Sequence, residues 1–171
     1  SIAYTGGGTP ISHSGNKSVV IYTAANADAA KYSSHANNLE HLQGVAQRLS
    51  LDDSKKYKLQ FFYYRPNLVW GTTDVAANIN HAEKIVVGIV SSTEANVNTD
   101  YTYEEVITLE KTEGWKEYNI TFDLPDIIQK NPGKSFEKCA IFFNIVPEID
   151  SAQKTLKTLV NLDDISLTET K

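Results

Sequence analysis

Tyr57, Leu59, Phe61 and Tyr63 alternate with Lys58, Gln60, Phe62 and Tyr64. Alternation with a period of two puts one set on the core face of a β-strand and the other on its far face. No helix presents such a pattern as a single stripe, so this stretch commits the chain to a sheet. Residues 115–123 repeat it: Tyr118, Ile120 and Phe122 share one face, while Glu117, Asn119 and Thr121 share the other. Segments 84–92, 104–110, 138–146 and 159–168 read as strands too, and 18–23 and 45–51 bring the number to at least eight. Helical signals are confined to 26–32 and to a single turn over 125–130 that opens on Pro125. The expectation is an all-β fold: a β-sandwich jelly roll of two antiparallel sheets with long loops at 24–44, 66–83, 93–103 and 148–155.

The 171 residues suit one domain spanning 1–171, with neither repeat nor linker. Several function classes fall away. The longest apolar runs are far shorter than the roughly 20 residues of a membrane-spanning helix, so no membrane span is expected. A net charge of −5, with Arg48 and Arg65 as the only arginines, disfavours a nucleic-acid partner, which needs clustered cations. Cys139 is alone in an apolar strand pattern, which excludes an intrachain disulfide. The absence of methionine, even at position 1, leads us to expect a module cut from a longer multidomain protein.

No catalytic constellation is visible. His13, His35, His41 and His81 lack metal-ligand spacing, and Gly6-Gly7-Gly8 lacks the lysine and hydroxyl residue of a phosphate loop. The pairs Asp52-Asp53, Glu104-Glu105 and Asp163-Asp164 are sequence neighbours, so on a strand they face opposite sides and cannot share acid/base work. Asp163 has the parity of Ile165 and Leu167, which reads as core-facing. A carboxylate there needs a cation, an arginine or several backbone N–H partners, and a calcium ion suits its oxygens.

The strand parities also place large side chains on the outer faces. Gln60, Phe62 and Tyr64 point outward from one strand, and Phe142 and Asn144 from another. Outward Phe62, Tyr64 and Phe142 either form a binding platform or lie beneath one of the long loops. Trp70, in the loop ahead of Gly71, either contacts ligand or anchors its loop, and Tyr101 and Tyr103 precede a strand. Trp115 opens a strand and reads as packed.

In order along the chain come His13-Ser14-Gly15-Asn16-Lys17-Ser18-Val19, Gly44-Val45-Ala46-Gln47-Arg48-Leu49, Tyr57 to Arg65, Gly114-Trp115-Lys116-Glu117-Tyr118, and Asn161-Leu162-Asp163-Asp164-Ile165-Ser166-Leu167. This succession resembles the secreted carbohydrate-binding modules of the xylan- and glucan-binding type. Val87-Gly88-Ile89 with Ser91-Ser92-Thr93 is similar to the bacterial cleaved-adhesin domains, which share the jelly roll. The resemblance implies a non-catalytic module of a secreted or cell-surface protein, extracellular and monomeric, with a glycan or polysaccharide as its partner. It further implies a structural calcium held by Asp163 and by backbone oxygens near Gly15 and Lys17. The family's opening Phe-Glu strand is not visible before Ala3-Tyr4. The rival expectation is an adhesion or structural jelly-roll domain that contacts protein.

Overall fold

A computed structural model describes residues 12–15, 18–23, 44–65, 79–91, 102–146, 148, 151–152 and 157–170. Its strands are β1 (Val19–Thr23), β2 (Gly44–Leu49), β3 (Lys56–Tyr64), β4 (Ile79–His81), β5 (Lys84–Ser91), β6 (Tyr103–Thr108), β7 (Lys116–Asp123), β8 (Cys139–Val146) and β9 (Lys157–Thr170). One helix, α1 (Leu124–Lys130), follows β7. The first sheet runs β1-β9-β3-β7 with β4 beside β9, and the second runs β2-β8-β5-β6. All pairings are antiparallel except β4 with β9. This is the β-sandwich jelly roll expected from the alternation. Strand β4 was not anticipated: it lies inside the stretch read as the 66–83 loop, where three residues carry too little periodicity to be seen.

The core forms where the inner faces meet. Leu59, Phe61 and Tyr63 of β3 and Ile120 and Phe122 of β7 pack against Ile141, Phe143 and Ile145 of β8 and Ile85, Val87 and Ile89 of β5. Phe61 is fully buried, with the Phe143 ring set edge-on to it at 5.1 Å. Burial of each such side chain stabilises the fold by about 1.5–3 kcal/mol. Helix α1 starts where Asp123 caps it by accepting from the Asp126 N–H, and it buries Leu124 and Ile127. The 26–32 helix reading lies outside the described residues.

Buried Arg65 fastens one end of the sandwich. Its guanidinium donates to the Leu109 carbonyl at 2.8 Å and pairs with Glu83 at 3.4 Å. Its backbone N–H donates to the Thr112 hydroxyl, and its carbonyl accepts from the Thr112 N–H. The ends of β3, β5 and β6 are thereby joined, a structural role for one of two arginines. Cys139 is equally structural: burial pushes its thiol up to about 11, so no thiolate forms near neutral pH.

The outer faces of the two sheets differ. On the second sheet Val86, Val90, Ala140, Phe142 and Asn144 are buried although they point away from the core. The Phe142 ring lies across Gly88, where an added Cβ would come within 2.4 Å of its Cζ and 2.5 Å of the Tyr103 carbonyl. Gly88→Ala is expected to destabilise by about 1–3 kcal/mol, because a backbone carbonyl cannot step aside as a flexible side chain can. Gly114→Ala, with open space around it, is the matched control. Urea denaturation of both variants reads the difference.

Candidate functional site

On the first sheet the outer face is polar and partly open. Strand register sets Gln60 beside Asn119 and Ser166, and Phe62 beside Glu117 and Asp163. The Glu117 carboxylate accepts a hydrogen bond from the Asn119 amide at 2.8 Å. Trp115, just ahead of β7, brings its indole to 5.6 Å from the Tyr64 ring at an interplanar angle of 32°. His13 stacks on Phe62 with ring centroids 3.7 Å apart and planes 13° from parallel, and meets the Trp115 edge at 6.1 Å. Four rings from three parts of the sequence therefore form one half-buried cluster.

A change of phase in β9 makes this arrangement possible. Gln60 pairs with Ser166 but Phe62 pairs with Asp163, so β9 carries one extra residue opposite Phe61. Asp164 takes a left-handed conformation there, with φ 45°, which a short acidic side chain tolerates better than most. The bulge reverses the alternation: Leu162 faces the core on one side of it and Leu167 on the other. Asp163 consequently faces outward beside Phe62, and Ile165 is 40% exposed. The uninterrupted parity that pointed Asp163 into the core is corrected by this one inserted residue, while Ile165 stays in phase with Leu167 and lines an opening between the sheets.

The two acids then hold the Ser12–Gly15 loop. One oxygen of Asp163 accepts from the His13 N–H at 2.8 Å and the Ser14 N–H at 3.3 Å, and the other accepts from the Asp164 N–H at 2.8 Å. Asp164 accepts from the Ser14 hydroxyl at 2.5 Å and binds His13 Nδ1 at 2.7 Å. The Ser14 hydroxyl, followed by the His13 ring, lowers the Asp164 carboxyl below its ordinary value. Asp163 thus uses backbone N–H donors, one of the alternatives open to it. A calcium ion requires six to eight oxygens, whereas the described groups aimed at Asp163 are donors. Among the described residues no group of three His, Cys, Asp or Glu side chains is placed to hold a metal ion. Lys17 lies outside the described residues, and the Gly15 carbonyl accepts from the Ser12 hydroxyl.

The structure separates the remaining site candidates. Gln60, Phe62 and Tyr64 share the polar outer face. Phe142 and Asn144 are each 5% exposed on the opposite face of the sandwich, too covered to serve the same site. Tyr103 turns inward and meets Phe122 edge-on at 5.9 Å, so it is a core residue and not a presented aromatic. Trp70 and Tyr101 lie outside the described residues. Trp115 and His13 join the cluster although neither was singled out for it. The parity of residues 115–123 already held the signal for Trp115, because it is in phase with outward Glu117 and Asn119. Nothing local in the sequence pointed to His13, which needs acids 150 residues away to hold it.

A second concavity, of about 740 Å³, opens between the sheets and is lined by Val19, Val45, Leu49, Phe143, Ile165 and Leu167 among others. Gln47 and Ser166 are the only polar residues among its described lining, too few to orient a hydroxyl-rich ligand.

No protein-family model matches the sequence, and no curated protein matches it. Among solved structures, a carbohydrate-binding module specific for non-crystalline cellulose (CBM28) is 13% identical, with a TM-score of 0.50 over 94% of this chain and 81% of that chain. A CBM4 structure is 14% identical, with a TM-score of 0.49 over 81% of this chain and 67% of that one. A CBM61 module in complex with β-1,4-galactotriose is 12% identical, with a TM-score of 0.46 over 92% and 74%. The likeness to the CBM28 module is one of fold: this chain has the β-sandwich of a carbohydrate-binding module.

Proposed function

We propose that the chain is a non-catalytic glycan-binding module of a secreted or cell-surface protein, and that it binds sugar on the outer face of β9, β3 and β7. The observation that carries this reading is the Tyr64–Trp115 pair, two large rings side by side on an otherwise polar sheet face. Sugar rings present a C–H face to such aromatics, and the hydroxyls at their rim find Gln60, Asn119, Glu117 and Ser166. The shared sandwich fold supports the reading at the level of architecture. Catalysis has no comparable support: the described carboxylates of this face are engaged by amides, a hydroxyl and an imidazole, and among the described residues no acid/base pair flanks the rings.

Isothermal titration against soluble β-glucan, xylan, mannan and galactan tests the proposal. Tyr64→Ala and Trp115→Ala are each expected to weaken binding about tenfold or more, as central aromatic anchors do, while leaving the melting temperature nearly unchanged. Heat with none of these polysaccharides would sink the reading.

The loop that carries His13 is held by carboxylates that accept from the His13 and Ser14 N–H groups and from the Ser14 hydroxyl. EDTA is expected to leave the melting temperature unchanged, and Asp163→Asn to lower stability by about 1–2 kcal/mol with or without chelator. A melt that EDTA lowers in the parent but not in Asp163→Asn would instead install the calcium that the resemblance implies. Because the folded-state Asp164 carboxyl is lowered, its contribution is present above the ordinary carboxylate value of 3.8 and is lost as pH falls through the lower folded one. Amide protection factors across the Ser12–Gly15 loop, whose ring and hydroxyl Asp164 holds, are expected to fall in that acid window; unchanged protection factors there would contradict the clamp.

A further inference from the structure

Phe62 is the aromatic that sequence parity places on the platform, yet its face is not what a ligand would meet. The His13 imidazole covers it, nearly parallel at 3.7 Å, and the His13 side chain itself remains 34% exposed. Four contacts hold that imidazole: the Asp163 carboxylate on its backbone N–H, Asp164 on Nδ1, Phe62 beneath and Trp115 at its edge. A loop residue with so many restraints is pre-organised to present its outer surface, and little rotamer freedom remains to be lost on binding.

The chemistry of that surface is also fixed. An ionised carboxylate only accepts, so the contact with Asp164 requires the proton on Nδ1. In the neutral ring Nε2 then carries a lone pair and accepts a hydroxyl proton. Among the described residues the charges around it are one-sided. Asp163, Asp164 and Glu117 surround the Phe62–His13 stack, and Lys58, the next cation along the outer face of β3, is four residues and roughly 13 Å away. An acidic sugar placed here would meet carboxylates on both sides, a repulsive element that selects against it.

The geometry points to His13 as a ligand-contacting residue of this site, the imidazole stacked on Phe62 being the surface on which an uncharged glycan rests. Asp164 is the positioning residue that fixes its tautomer. This rests on the glycan-binding reading and adds both the contact residue and the class of sugar.

Titration calorimetry with cellohexaose, xylohexaose, mannohexaose, β-1,4-galactotriose and a polygalacturonate oligomer tests it in parent, His13→Ala, His13→Phe and Tyr64→Ala proteins. A neutral oligosaccharide is expected to bind and the uronate oligomer not to bind. His13→Ala is expected to lose about tenfold or more in affinity, and His13→Phe to recover most of that loss by restoring the stacked face. In Asp164→Asn, the imidazole ¹⁵N shifts of His13 are expected to report a mixed tautomer together with weaker binding, a change that loss of packing alone would not produce. Parent-like affinity in His13→Ala alongside weakened Tyr64→Ala would overturn the role of His13 and leave glycan binding standing. Preference for the uronate oligomer would overturn the neutral class, and binding of nothing by the parent would remove both this inference and the function beneath it.

Discussion

The pairing of β3 with β9, and the single residue inserted into it at Asp164, governs how the outer face is used. β3 lies inside the first sheet, with β7 on one side and β9 on the other, and its strict alternation supplies both core and platform. If β9 kept an unbroken alternation, Asp163 would share the core face with Leu167. The bulge lets Leu162 and Leu167 both reach the core and turns the acids toward Phe62. Removing a carboxylate from the core avoids a desolvation cost of several kcal/mol, and the same carboxylate then satisfies two loop N–H groups.

From that one irregularity the aromatic cluster follows. The Ser12–Gly15 loop is drawn across the sheet by Asp163 and Asp164, His13 comes to rest on Phe62, and Trp115 closes against both His13 and Tyr64. The opposite sheet shows the contrary solution. Its outward residues are Val86, Val90, Ala140 and Phe142, apolar enough to be buried on both sides, with glycine at position 88 to admit the Phe142 ring. Among the described residues the sandwich thus has one covered, apolar outer face and one polar, ring-bearing outer face.

Much of this was legible in the sequence. Among the described residues, eight of the nine strands were legible as strand segments, and the inward and outward sets of β3, β7 and β8 follow from parity alone. Pro125 marked the start of α1. Parity also placed Gln60, Phe62 and Tyr64 outward, and read one residue further it would have placed Trp115 beside them. It could not separate Phe142 from Phe62: both point outward, and only packing decides which of two outward rings is covered.

Local order was therefore set by the chain's own alternation, because which side of a pleated strand a residue occupies depends only on counting. The bulge, the outward turn of Asp163, the stacking of His13 on Phe62 and the inward turn of Tyr103 were decided by tertiary structure. Each depends on which strands become neighbours and in what register, and the groups that interact are separated by up to 151 positions. No local propensity encodes such contacts, since their energies exist only once the two sheets have formed.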